Sequence, residues 1–516
     1  MSKRDRPKGD NDSAPPERSD RRRARTRSIL RAAALCAFVA LASAYAFIFP
    51  LGHAPDETAH FAYVLFIAEN GRLPDYYADN VGYESYQAPL YYTLSAGVCK
   101  LTMLAAQALG TGDSAEAPAV LSAPSGPDAP LPSQIRKRPW VPRAQYRLML
   151  AAWRDALAYT PVQRAGWRAV RVFTALLGAL GVLLGWRIMR VLFPDREWLA
   201  DAVGAGMTFL PMYMHISAAV GNDPPTVVIV ELSVLFTLLM LRDGPTPRRV
   251  ALLGLSLGLG MLTKDSANVV IPVALLALAW SAGRRYEPEE HASYLTDLAR
   301  RVVALRWALI GKRVALLFAV MTGVAGWWFV RNALLYGHPM HYPANPQTQL
   351  PWDFYLMFPG QLGMALGLHI PMTFRNFWGN FAWTNIALPT WMYWALLPIS
   401  LLPLPGLAVL IADARAGRSE RPIERRRGFA VVMLTLALMA AAVTAHALFI
   451  GIGGGSQGRY YFPVLFALGM LWTMGVARLL PERAHRALPY TIAAALLAFN
   501  LWCVFGLILP FYRAMG

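Results

Sequence analysis

Two adjacent carboxylates stand in Gly52-His53-Ala54-Pro55-Asp56-Glu57-Thr58-Ala59-His60-Phe61. Asp56 and His60 are four apart. A helix starting at Asp56 sets both along one face, with Glu57 alongside. A carboxylate so placed takes a proton from an attacking hydroxyl, with His60 to orient it. Alternatively, Asp56 and Glu57 together hold a hard divalent cation, Mg2+ or Mn2+. A plain structural role is also open, because Asp56 suits an N-cap and Glu57 complements a helix dipole. Further on, Tyr83-Glu84-Ser85-Tyr86-Gln87-Ala88-Pro89-Leu90-Tyr91-Tyr92 sets rings beside an amide and a carboxylate. Sugars stack their apolar faces on rings and offer hydroxyls to polar groups. Glu84, Gln87 and Tyr91 are therefore candidate sugar contacts, with an interfacial aromatic belt as the alternative.

Three cations stand in otherwise apolar surroundings. They are Lys264 in Leu262-Thr263-Lys264-Asp265, Arg331 in Trp327-Trp328-Phe329-Val330-Arg331-Asn332, and Arg459 in Ser456-Gln457-Gly458-Arg459-Tyr460. Arg offers a fork to phosphate oxygens and Lys a point charge. Snorkelling to a membrane interface is the competing role. Gly221-Asn222-Asp223-Pro224-Pro225 adds an amide and an acid that could equally cap a helix. Arg375-Asn376-Phe377-Trp378-Gly379 places Trp378 before an apolar run, as belt or cleft wall. Gly451 to Gly458 is glycine-rich but lacks the Lys-Ser/Thr of a nucleotide loop. The three cysteines form no Cys-x-x-Cys pair, so no disulfide framework or zinc site is indicated, and no nucleotide or redox cofactor is expected.

The elements that position these residues follow from composition. The chain has 516 residues, of which 56% are hydrophobic and 16% charged, with mean hydropathy +0.35. A soluble domain carries about 25% charged residues. The fold class expected is all-α: a polytopic membrane protein of about eleven spans. Apolar runs fall near 30–50, 168–193, 198–220, 224–241, 249–263, 266–282, 312–332, 389–411, 428–450, 461–480 and 488–510. Residues 88–110 carry Lys100 mid-run and read as re-entrant or interfacial. Residues 1–28 read as a disordered basic cytoplasmic tail, and 29–516 as one transmembrane domain. With the amino terminus inside, 33 of the 49 Lys and Arg fall on the inner side. Two large loops, 51–167 and 333–388, then lie outside with the isolated acids and aromatics. The net charge of +18 is concentrated in the tail and inner loops. That placement suits anionic lipid, not nucleic acid.

The order of these motifs resembles the GT-C glycosyltransferases, multi-pass enzymes that use polyprenyl-phosphate sugars on the non-cytoplasmic side. The resemblance starts with Pro55-Asp56-Glu57 through His60 and with Gln87 through Tyr92. Asn222-Asp223, Leu262-Thr263-Lys264, Trp327-Trp328 to Arg331-Asn332 with Leu335-Tyr336-Gly337, Phe377-Trp378-Gly379 and Gln457-Gly458-Arg459-Tyr460 look closer to one uncharacterised DUF family of GT-C-like bacterial membrane proteins. The likeness runs from about 47 to 480. It departs at Ala88, where a second proline is often seen, and at 111–145, which reads as a flexible insertion. The resemblance implies sugar transfer from a polyprenyl-phosphate carrier to a cell-envelope glycan or lipid acceptor. The site would lie on the periplasmic face of the bacterial inner membrane. Asp56 or Glu57 would be base or metal ligand, and Lys264, Arg331 and Arg459 would meet the lipid phosphate. A transporter or flippase for a lipid-linked glycan would use the same cations without bond chemistry. Such proteins often show paired broken helices. Only one broken hairpin, at Lys264, is evident here.

Overall fold

The structure is a computed structural model that describes residues 18–110, 156, 158–282, 307–343, 353–416, 423–450 and 455–513. Its principal helices are α1 Arg18–Ile48, α2 Glu57–Asn70, α3 Leu90–Ala108, α4 Pro161–Leu192, α5 Glu197–Phe209, α6 Pro211–Ser217, α7 Asp223–Asp243 and α8 Pro247–Met261. They continue as α9 Val270–Ala282, α10 Trp307–Tyr336, α11 Pro359–Trp378, α12 Thr390–Leu401, α13 Pro403–Arg415, α14 Ile423–Ile450, α15 Leu465–Leu479 and α16 Leu488–Trp502. The described strands form one antiparallel pair, Asn380–Phe381 with Ile386–Ala387.

Among the described residues, 8 helical stretches are long and apolar enough to cross a membrane: Arg25–Ile48, Pro161–Leu192, Asp223–Asp243, Trp307–Tyr336, Thr390–Arg415, Arg425–Ile450, Gly458–Leu479 and Leu488–Arg513. Three of the eleven expected spans take another form. The run 198–220 is split into α5 and α6 because Pro211 has no N–H and keeps the preceding residue out of helix. Leu210 is accordingly extended, with ψ 117. The runs 249–263 and 266–282 become the short α8, a 3-10 turn Asp265–Val269 and α9, parted at Lys264, whose φ is −165. α3 is helical but does not belong to the apolar set, since Lys100 and several hydroxyl residues interrupt it.

Two boundaries differ from the sequence reading. The basic tail does not stay irregular up to residue 28: α1 begins at Arg18, in a stretch rich in Arg and Ala, both good helix formers. The first long loop ends before 167, because Thr160 starts α4 with a reciprocal capping box to Gln163 and Pro161 occupies the first turn. The proposed insertion at 111–145 lies outside the described residues.

The buried core runs through α1, α4, α5, α7 and α15, where small residues let helices approach. At the crossing of α13 and α15, a Cβ on Gly406 would sit 1.9 Å from the Gly475 carbonyl oxygen. The bundle has two chemically different ends. At one, Arg31 pairs with Glu197 and Asp201, Arg425 with Asp195, and Arg478 with Asp413. α7 and α14 run from that end to the other, where Asp223 and His446 face a large cavity.

Candidate functional site

The cavity measures about 880 Å³. It draws its lining from the first loop, the turn before α7, the break before α9, the end of α10, the end of α14 and the 3-10 turn Gly458–Val464. Asp56, His60, Glu84, Gln87, Asn222, Asp223, Lys264, Gln457, Arg459 and Tyr460 all line it. Ten of the fourteen residues singled out from sequence therefore meet in one place, from positions more than 400 apart.

An ion network forms its floor. Arg459 donates from Nη2 to Asp56 Oδ2 at 2.9 Å, and its Nε lies 3.5 Å from Asp223 Oδ2. Lys264 Nζ reaches Asp223 Oδ1 at 2.5 Å. Both cations also sit over the Tyr460 ring, at 5.3 and 5.2 Å from its centroid. Tyr83 Oη donates to the other Asp56 oxygen at 2.9 Å. Burial pushes the Asp56 carboxyl up, but the Arg459 charge, the neighbouring His60 and the hydrogen bonds from Arg459 and Tyr83 together outweigh this and hold it below the usual range. Asp56 occupies the N-cap position of α2 with a left-handed backbone, φ 61, and makes no capping bond. A non-glycine residue in that region is strained and persists only when its surroundings fix it.

Glu57 supplies that fixing. It is fully buried and does not line the cavity. Its oxygens accept from Arg171 Nε and Nη2, each at 2.6 Å, and from Trp167 Nε1 at 3.1 Å. They also accept from the backbone N–H groups of Gly52, Ala54 and Val220. Arg171 in turn donates to the carbonyls of Ala46, Phe49 and Pro50. One buried ion pair thus ties the end of α1, the Asp56 corner, α4 and the turn that carries Asn222 and Asp223. Of the Asp56–Glu57 pair that the sequence suggested for a divalent cation, Glu57 is turned to Arg171 and away from the cavity, and Asp56 alone faces it. Among the described residues no group of three His, Cys, Asp or Glu side chains is arranged to hold a metal.

A second polar chain lines the wall. Glu84 accepts from Gln87 Nε2, and Gln87 Oε1 accepts from Asn222 Nδ2. His60 Nδ1 shares a hydrogen bond of 2.8 Å with Tyr92 Oη and lies 4.0 Å from Glu84. Burial lowers His60 to about 4, so it is neutral at physiological pH. Burial and the nearby Asp56 charge push Glu84 up to about 8.

The 3-10 turn bearing Arg459 is seated by a close backbone approach. A Cβ on Gly458 would lie 2.3 Å from the Phe377 nitrogen. Asn376 Nδ2 donates to the Ser456 carbonyl at 2.7 Å, and His369 Nδ1 meets Ser456 Oγ at 2.9 Å. The segment Arg375 to Trp378 therefore docks Arg459 instead of walling the cavity.

Three other singled-out residues lie apart from the lining. Tyr91 is buried behind it, bonding Thr174 Oγ1 at 2.7 Å and accepting from the Gly221 N–H at 3.1 Å. Arg331 donates to the Pro74 carbonyl at 2.6 Å and stacks over Trp328, so it secures the first loop. Trp378 donates to Ser400 Oγ at 3.1 Å, toward α12. The sequence reading omitted Trp383, His446, His341, Tyr342 and Asp265 from the site, yet all five line the cavity. A histidine within the apolar run of α14 was the readable signal for His446, since ionisable groups inside spans usually have a task.

A family model described as dolichyl-phosphate-mannose-protein mannosyltransferase matches residues 149–325. The chain is similar to an undecaprenyl phosphate-alpha-4-amino-4-deoxy-L-arabinose arabinosyl transferase of Pseudomonas aeruginosa, with 29% identity over 54% of this chain and 51% of the relative. A Pseudomonas fluorescens protein named undecaprenyl phosphate-alpha-4-amino-4-deoxy-L-arabinose arabinosyl transferase 1 is 27% identical over 52% of this chain and 49% of its own length. The chain thus spans about half the length of the curated relatives it matches. No solved structure matches. These likenesses support the GT-C part of the resemblance, and the narrower uncharacterised family rests on the short motifs alone.

Proposed function

We propose that this multi-pass membrane protein is a glycosyltransferase that takes a sugar from a polyprenyl-phosphate carrier. The acceptor is a cell-envelope glycan or lipid. One observation carries the reading. Asp56, Asp223, Lys264 and Arg459 come from separated segments and converge in one cavity, at the bundle end away from the basic clusters. The names of the matched relatives and of the matched family, all transferases that use lipid-phosphate sugars, favour the same chemistry.

Loss of a polyprenyl phosphate places negative charge on the leaving oxygen, and fixed cations in a dry site stabilise that charge most. Arg459 and Lys264 hold the phosphate. Met261, Val269, Phe329, Val443 and Ile450 give an apolar flank for the first isoprene units. The sugar lies toward Gln87, Asn222 and Trp383, and a cavity carboxyl takes the acceptor proton. By the distribution of Lys and Arg, the cavity opens to the periplasm and the amino terminus is cytoplasmic. Labelled polyprenyl phosphate should bind the purified protein. Arg459→Gln and Lys264→Gln should each weaken that binding roughly 10- to 100-fold, as lost charged hydrogen bonds do. Equal binding by both variants would remove the cations from phosphate recognition.

A further inference from the structure

Four acids line the cavity: Asp56, Glu84, Asp223 and Asp265. Asp56 is bound by Arg459 and Tyr83, and Asp223 by Lys264 and Arg459. Asp265 is exposed. Glu84 differs from all three. It is 8% exposed, and its carboxylate accepts from an uncharged amide, Gln87. No Lys or Arg lies within ion-pair distance of it among the described residues; His60, neutral here, is 4.0 Å away.

We propose that Glu84 is the catalytic base of this site and that Asp56 is a positioning residue for Arg459. The inference rests on the glycosyl-transfer reading above. In the step it describes, the acceptor O–H bond breaks and its proton passes to a Glu84 carboxylate oxygen. The acceptor oxygen forms its bond to the anomeric carbon. The bond from that carbon to the phosphate oxygen breaks, and the electron pair leaves on the polyprenyl phosphate beside Arg459 and Lys264. The product phosphate departs, and Glu84 returns its proton to solvent.

Two physical reasons favour Glu84 over Asp56. A carboxylate paired with a guanidinium and hydrogen-bonded by a phenol is held ionised and is a weak base. A buried carboxyl without a cation is a stronger base, and efficiency peaks when a base titrates near the working pH. The groups that face Glu84 are Asp56 and His60 beside and on α2, Tyr92 on α3, Lys264, Arg459, and the phenols of Tyr76, Tyr83, Tyr86 and Tyr342. Of Glu84, Asp56 and His60, Glu84 is the group that changes charge near neutrality, for Asp56 and His60 titrate far lower.

The test uses the full chain in nanodiscs, a radiolabelled polyprenyl-phosphate sugar, and envelope extract as acceptor, over pH 6 to 10. The wild type should show turnover rising with pH to a plateau, with its inflection near 8. Glu84→Gln should lower kcat by roughly 100-fold or more, erase the inflection, and leave donor KM within about twofold. Glu84→Asp should keep the inflection at a reduced rate. Asp56→Asn should raise donor KM through Arg459 and retain an inflection, shifted to lower pH because the Asp56 charge no longer raises Glu84. The inference is overturned if Glu84→Gln keeps both the rate and the pH profile, or if Asp56→Asn is the variant that erases the inflection. It is also overturned if Glu84→Gln and Glu84→Asp both lose donor binding, which marks a structural role. No transfer by the wild type overturns this inference and the glycosyl-transfer reading together. Transfer with an unchanged Glu84→Gln profile overturns the inference alone.

Discussion

Replacing Arg171 by Met removes five donated hydrogen bonds, two to Glu57 and one each to the carbonyls of Ala46, Phe49 and Pro50. The pair is inaccessible, with side-chain exposures of 1% and 0%. Breaking a buried ion pair by deleting one partner costs about 3–5 kcal/mol, because the remaining charge stays buried without its counterion. Glu57 would keep Trp167 and three backbone N–H groups, which places the loss toward the lower part of that range. Glu57→Gln leaves the guanidinium uncompensated instead and should cost a similar amount. Because each single change strands the other's charge, the double variant should cost about 1–3 kcal/mol less than the sum. Unfolding in detergent, followed by tryptophan fluorescence for the wild type, both single variants and the double, measures these terms. Single-variant losses below about 1 kcal/mol, or a double variant additive within about 0.5 kcal/mol, would refute the claim that this pair clamps the site.

Three further outcomes follow from the same geometry. Gly458→Ala should abolish donor binding while the protein still inserts in membranes, because its Cβ meets the Phe377 backbone at 2.3 Å and the Arg459 turn must shift; unaltered binding would show that the turn is not held there. Glu84 is raised from its ordinary 4.5 to about 8, so the folded state keeps a proton that the unfolded state has lost. Stability attributable to Glu84 therefore falls as pH climbs from about 4.5 to 8. The gain in Tm of Glu84→Gln over wild type should accordingly be larger at pH 8.5 than at pH 5, and a pH-independent gain would contradict that sign. EDTA should leave transfer unchanged, since Glu57 is committed to Arg171; a loss restored by Mg2+ or Mn2+ would contradict this.

The convergence of Asp56, Asp223, Lys264 and Arg459 was legible because isolated charges in an apolar chain have few tolerable locations. Helical structure along the spans was legible from apolar run length. What separates Asp56 from Glu57 was not. Adjacent residues leave a turn in different directions, and the partner that claims Glu57 lies 114 positions away. The helix start was read correctly within a residue, yet Asp56 takes a left-handed backbone and turns its carboxylate to Arg459 instead of the α2 N–H groups. Arg331 and Trp378 carried the right residue types for a cleft, but nothing in their local sequence shows that Pro74 and Ser400 take their donors. Pro211 was a visible break signal within a run long enough to hide it.

The central claim is that the cations and acids of this cavity break a sugar–phosphate bond. The direct measurement is the fate of a doubly labelled polyprenyl-phosphate sugar given to the purified protein in sealed vesicles with envelope acceptor. The account predicts that the sugar label moves to a new acceptor, that free polyprenyl phosphate accumulates in step, and that Arg459→Gln and Lys264→Gln stop both. A sugar label that crosses the bilayer still joined to its carrier would contradict it and identify a flippase.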